Sequence, residues 1–158
     1  MLALDPGTTQ SAWVLMDDEL HPVEFAIEDN EHVLRLFKDP KFSEMAIEWV
    51  ESYGMAVGVE TFETVFWIGR FWEAAVRGGV SPWKVPRREV KLTLCHTSRA
   101  KDANVRQALI DRFGPVGTKK NPGWFYGVKS HIFSAVAVGV TFADRLPFDD
   151  IEAEDDEG

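Results

Sequence analysis

The sequence predicts a mixed α/β domain: three antiparallel strands, then parallel ones, with helices on both faces of a five-stranded sheet. Three observations carry this. Segments with strand character at Met1–Asp5, Ser11–Asp17 and His21–Ile27 are separated only by turn-forming residues, Pro6–Gln10 and Asp17-Asp18-Glu19, which describes an antiparallel meander. Met45–Val50 is a short apolar run whose single charged residue is Glu48, the pattern of a strand buried on both faces. Downstream, helical segments alternate with one more strand, and such an order packs as layers around a sheet.

The remaining elements follow in order. Asp29 or Asn30 caps a helix over Glu31–Phe37, with Val33, Leu34 and Phe37 on one face and Pro40 ending it. Tyr53–Gly58 is a glycine-punctuated loop. In Thr61–Val76, Val65, Ile68, Trp72 and Ala75 recur at helical spacing, and Gly78-Gly79 stops the helix. Trp83–Val85 is a short strand broken by Pro86. Helices follow at Arg87–Cys95 and Lys101–Phe113. Gly114–Gly127 is a loop longer than a connection requires, which points to function. Ile132–Phe142, rich in small apolar residues, reads as a helix buried against the sheet. Residues 1–148 thus form one domain, and 149–158 an acidic tail expected to be disordered.

A chain of 158 residues, 45% hydrophobic and 27% charged, can bury one sizeable core and is not a disordered chain. No apolar run approaches the roughly 18–20 residues of a bilayer span. The single cysteine, Cys95, excludes an intramolecular disulfide framework and a cysteine-cluster metal site. With no apolar leader ahead of the first strand, the expectation is a cytoplasmic protein with no membrane attachment. The net charge of -9 argues, as an average, against a nucleic-acid partner. The average misleads. Residues 1–83 carry 5 basic and 15 acidic side chains, residues 84–129 carry 11 basic and three acidic, and the last ten residues hold seven acidic ones.

Three residues on separate elements carry the chemistry. Asp5 ends the first strand before a Pro-Gly turn, where it either caps its own turn or faces a site at the sheet edge. Glu48 inside a buried strand must pair with a cation, with Arg70 or Lys41 as candidates, or bind a metal, because an unpaired buried carboxylate costs several kcal/mol. His131 opens the last helix, as a structural residue or a ligand. As a set, two carboxylates and one imidazole suit Mg²⁺ or Mn²⁺ better than Zn²⁺. Two such ions would activate a water and stabilise the leaving oxygen in phosphodiester hydrolysis.

Residues Leu2-Ala3-Leu4-Asp5-Pro6-Gly7-Thr8-Thr9, then Ala46-Ile47-Glu48, then His131–Ala137 resemble the RNase H-like fold as used by RuvC-type Holliday-junction resolvases, and most nearly their small phage-encoded members. The resemblance spans about residues 2–145. It implies an endonuclease that cuts branched DNA with Mg²⁺, Mn²⁺ substituting, at two ions per site, and for a phage-encoded member a host-cell cytoplasmic location. Asp5, Glu48 and His131 match the family's catalytic and metal-holding positions. Ser134 stands where cellular members carry Asp, and so becomes a fourth, weaker ligand. It also implies a homodimer formed through the aromatic helix Thr61–Val76. Arg87, Arg88, Lys91, Arg99, Lys101, Lys119, Lys120 and Lys129 then become contacts to DNA phosphates. Trp124 in the loop Asn121–Tyr126 stacks on bases or anchors the loop in the core.

Other readings remain open at this level. One is an RNase H-like nuclease acting on flaps, forks or hybrids; another is a non-catalytic module that binds branched DNA. The segment Leu4–Ser11 also looks like the first phosphate turn of sugar kinases and actin-like ATPases, but 158 residues leave no room for their second lobe.

Overall fold

The computed structural model describes residues 1–155, with side chains described for residues 1–145. The acidic tail expected over 149–158 lies outside the fully described residues.

Strands β1 (Leu2–Asp5), β2 (Gln10–Met16) and β3 (Pro22–Asp29) form the antiparallel meander, and β4 (Glu44–Trp49) and β5 (Ser81–Pro86) add to the other side of β1 in parallel. The five-stranded sheet has the order β3-β2-β1-β4-β5. Leu2 pairs with Met45 and Leu4 with Ile47 in parallel register, while Leu2 faces Leu15 and Asp5 faces Ala12 across the antiparallel pair. The Pro6–Gln10 turn is tied by buried Asn30, whose Nδ2 donates to Gly7 O at 3.0 Å and whose Oδ1 accepts from Ser11 Oγ at 2.6 Å.

The helical residues Asn30–Val33 make one α-turn, α1, which tightens into a 3-10 turn over Leu34–Phe37. A single helix over Glu31–Phe37 is therefore not what forms. So short a segment gains little from α-helix propagation, and the tighter turn closes it before Pro40. Strand β5 is longer than Trp83–Val85 because an edge strand tolerates Pro82 and Pro86, whose missing N–H groups cost no ladder bond on the open side.

Helix α2 (Val59–Arg77) covers one face of the sheet; α3 (Arg87–Cys95), α4 (Asp102–Phe113) and α5 (His131–Asp155) cover the other. Strand alternation separates two cores. Leu2, Leu4, Trp13, Met45 and Ile47 point to α2 with Ile68 and Phe71, whereas Ala3, Ala12, Val14 and Ala46 point to α5 with Val136 and Val140. The α5 side of the central strands is lined with alanine, so the helix lies close to the sheet. At the crossing point is Gly139, where an added Cβ would stand 2.6 Å from Met16 Sδ and 3.1 Å from Ala3 Cβ.

That closeness makes a prediction. Gly139→Leu should lower stability by about 1–3 kcal/mol through overpacking, despite leucine's better helix propensity. Urea unfolding of the two proteins checks it, and an unchanged or higher midpoint would contradict the packing described.

Candidate active site

Asp5 and Glu48 are neighbours across β1 and β4, each one step beyond the paired residues Leu4 and Ile47. Alternation puts both on the face that carries Ala3 and Ala46, under the start of α5. Because β1, β4 and β5 run parallel, their carboxyl ends share one sheet edge, and His131 at the start of α5 and Arg87 at the start of α3 come to the same edge. Crevices outside the carboxyl ends of parallel strands are where α/β sheets place ligands.

His131 Nδ1 lies 3.0 Å from Asp5 Oδ2. The Asp5 side chain is 12% exposed and that of His131 is 71% exposed, so the pair links a sheltered carboxylate to a solvent-facing ring. Burial, and then the negative charge of Glu48, push the Asp5 carboxyl up from 3.8 to about 7; His131 and Arg87 only partly offset this. Glu48, 16% exposed, is held by Arg87, whose Nη1 donates to Oε1 at 3.2 Å and to Oε2 at 3.3 Å. Nη2 of the same guanidinium pairs with Asp102 at the start of α4. Burial opposes the Arg87 charge, but Glu48 and Asp102 outweigh it and raise its affinity for the proton.

The cation that meets Glu48 is thus neither Arg70 nor Lys41. Arg70 pairs with Glu31 2.8 Å away, and Lys41 lies beside Leu2, Trp13 and Phe42 at the opposite sheet edge. Arg87, expected on DNA, is engaged in ion pairs within the site.

These residues border a cleft of about 310 Å³ with Glu48, Arg87, Asp102, His131 and Ser134 on its walls and Lys91 and Arg106 at its rim. Ser134 stands one helical turn below His131. Asp102 and Arg106 belong to this cleft and do not stand out in the sequence. A signal for Asp102 was present: it is one of only three acids in the basic block 84–129, and the other two are spent on Arg145 and Gln107. Arg106 lies over the Phe133 ring at 4.7 Å, directly behind His131 and Ile132.

The rest of the basic block splits. Lys84 sits over the Trp49 ring at 4.3 Å, and Arg112 pairs with Asp144. Among the described residues Arg88, Lys91, Arg99, Lys101, Lys119, Lys120 and Lys129 make no ion pair. Lys119 and Lys120 occupy the tip of a small turn closed by reciprocal backbone bonds between Thr118 and Asn121 and by a bridge from Gly117 to Pro122. Trp124 takes the anchoring role: its ring stacks on Phe113 with centroids 5.5 Å apart, and His21 meets it edge-on at 4.9 Å. Trp124 is half-buried in this packing, and Tyr126 is the exposed aromatic of the loop.

Among the described residues no group of three or more His, Cys, Asp or Glu side chains is placed as a metal-holding cluster. By donor type, two carboxylates and an imidazole suit a hard divalent cation. Both carboxylates are sheltered, Asp5 is pushed toward its neutral form by burial and then by the charge of Glu48, and the His131 imidazole sits on Asp5 Oδ2. Asp5, Glu48 and His131 are the residues that would hold such an ion, with Ser134 beside them.

The raised Asp5 carboxyl makes the second prediction. The folded protein binds this proton more tightly than the unfolded chain, so stability falls as pH rises from 3.8 to about 7. In the metal-free protein Asp5→Asn should add about 2–4 kcal/mol of stability at pH 8 and almost none at pH 4. Added Mn²⁺ at pH 8 should raise the unfolding midpoint of the wild type and not that of the variant. A pH-independent difference between the proteins would show that the carboxylate is not under this constraint.

No helix among the described residues is long and apolar enough to cross a membrane. No protein-family model and no curated protein sequence matches the chain. Solved structures do match. Thermus thermophilus RuvC superposes with a TM-score of 0.66 at 18% identity, covering 94% of this chain and 96% of that one. T. thermophilus RuvC in complex with a Holliday junction substrate superposes with a TM-score of 0.65 at 19% identity, covering 90% of this chain and 91% of that one. At such identities the likeness is one of fold: over nearly its whole length this chain has the RNase H-like architecture found in RuvC.

Proposed function

We propose that this protein is a divalent-metal-dependent endonuclease that cuts branched DNA, four-way junctions in particular, by phosphodiester hydrolysis. The observation that carries the reading is the convergence of Asp5, Glu48 and His131 at the carboxyl edge of the parallel strands, beside a cleft whose Lys91 and Arg106 make no ion pair among the described residues. The shared fold of a RuvC solved with a Holliday junction substrate supports the choice of DNA over other phosphodiesters.

Mg²⁺ or Mn²⁺, two per site in the full reading, would be held by Asp5, Glu48 and His131 and would supply Lewis-acid chemistry and a more acidic water. The chain's own residues do the rest. Asp5 and Glu48 provide fixed negative charge on two adjacent strands, whose hydrogen-bonded register sets their spacing. His131 orients the Asp5 carboxylate through Nδ1. Ser134, with a hydroxyl where a carboxylate is expected, leaves one ligand position weak. Lys91, Arg88, Arg99, Lys101 and the turn carrying Lys119 and Lys120 track phosphates, and each contact adds salt-dependent affinity.

Cleavage of a labelled four-way junction, compared with a flap, a fork and an RNA–DNA hybrid, tests this. With Mg²⁺ the wild type should cut the junction fastest. Asp5→Asn and Glu48→Gln should each lose about 10³-fold or more in rate while still binding it. Lys119→Ala with Lys120→Ala should weaken binding and lower the slope of log affinity against log salt by about two. Faster cutting of another substrate would reassign the preference, and normal cutting by Asp5→Asn would sink the site. Binding without any cutting would leave a branched-DNA-binding module.

Four-way junctions are cut symmetrically, and α2 offers a surface for a two-fold partner. Val59, Phe62, Val65 and Phe66 are exposed along it, more apolar area than a solvated helix face carries. We infer a homodimer through this helix. Sedimentation should give a dimer at micromolar concentration, and Phe62→Asp with Phe66→Asp a monomer that nicks one strand; a wild-type monomer that makes paired cuts would refute the arrangement.

A further inference from the structure

Arg87 holds together three elements that meet at the site. It is the first residue of α3; Nη1 is on the Glu48 carboxylate of β4, and Nη2 is on Asp102 of α4. It is also the wall between two clefts, the one bordered by His131 and Ser134 and a second of about 420 Å³ bordered by Trp49, Tyr53, Arg88 and Lys91. Among the described residues Arg87 is the only hydrogen-bond or ion-pair partner of Glu48, whose side chain is 16% exposed.

We propose that Arg87 is the resident counter-cation of this site: it neutralises Glu48 in the metal-free protein and gives it up to a divalent ion, keeping Asp102 and taking a DNA phosphate. The inference rests on the nuclease reading above and adds a regulation to it. A guanidinium bonded to both oxygens of Glu48 and a divalent ion on the same carboxylate are like charges a few Å apart in a sheltered place, so one must leave. The way out is already built. The Asp102 side chain is 70% exposed and holds the far end of the fork, so the guanidinium can release Glu48 without losing its second carboxylate. The freed edge then opens on clefts rimmed by Lys91, Arg88 and Arg106, where it can meet a phosphate through two parallel N–H donors.

Coupling follows from this exchange. The cation removes the carboxylate that holds Arg87, and the phosphate supplies the anion that Arg87 lacks after leaving. Each ligand therefore lowers the cost of binding the other, by the same factor in both directions. Without DNA the site stays neutralised by its own arginine, and a metal is taken up tightly only when a phosphate backbone is present. A lysine cannot do this, because a single ammonium point does not span Glu48 and Asp102.

The test is Mn²⁺ binding, by calorimetry and by the electron-spin signal of free Mn²⁺, with and without a phosphorothioate-blocked four-way junction. Wild type should bind Mn²⁺ weakly alone and about tenfold more tightly with the junction. Arg87→Gln should bind Mn²⁺ alone about tenfold more tightly than wild type, with little further gain from the junction. Equal or weaker Mn²⁺ binding by folded Arg87→Gln would overturn the proposal. The wild type supplies a check that needs no variant: guanidinium ¹⁵N signals of Arg87 should shift and sharpen toward free rotation as Mg²⁺ fills the site. Signals unmoved at saturating Mg²⁺ would sink the counter-cation role alone. No Mn²⁺ binding by any of the proteins, with or without DNA, would sink the nuclease reading beneath it.

Discussion

Two carboxylates side by side at the end of adjacent parallel strands form an arrangement that a protein interior resists. Asp5 and Glu48 repel one another, both are sheltered, and burial followed by the charge of Glu48 pushes the Asp5 carboxyl toward its neutral form. Everything at this edge of the sheet responds to that constraint. Arg87 is drawn from the start of α3 to Glu48, Asp102 from α4 fixes the outer side of Arg87, and His131 from α5 closes on Asp5. The pairing of α3 with α4, and the placement of both against α5, thus have an electrostatic contribution as well as an apolar one. Frustration of this kind is tolerated where it is useful, and here it is concentrated in one cleft.

The constraint is set by backbone features that lie deeper. Parallel pairing of β1 with β4 brings the two carboxylates to the same edge, and the alternation of side chains along a strand brings them to the same face. That face is lined with Ala3, Ala12 and Ala46, which lets α5 come close at Gly139 and carries His131 to Asp5. The other face holds leucine, isoleucine and tryptophan and packs against α2. One sheet therefore has a small-residue side that places chemistry and a large-residue side that supplies stability, with α2 left apolar on its outer surface.

Most of the secondary structure was legible because local signals were strong. Turn residues bracketed the meander, the run Met45–Val50 could only be a covered strand, and the pair Gly78-Gly79 marked the end of α2. The weak places were those where context overrides local preference. Pro86 shortened the expected fifth strand, although an edge strand accommodates both it and Pro82. The segment after Asp29 has helical spacing but too few residues for a regular helix. Trp124 showed the same ambiguity in its side chain: an aromatic among lysines suits stacking on bases, and only the position of Phe113, eleven residues away on another element, assigns it to packing.

By itself, the sequence determined the order of the elements, the separation of acidic and basic segments, and the two carboxylates and the histidine whose chemistry calls for explanation. Those are properties of residue types and short spacings, and they are written locally. Which cation answers Glu48, and which acid joins the site, was decided only in the tertiary structure. Arg87 is 39 positions from Glu48 and 15 from Asp102, and His131 is 126 from Asp5. Contacts across such distances depend on strand register and helix placement, which no periodicity encodes. Charge composition named the candidates, and packing chose among them.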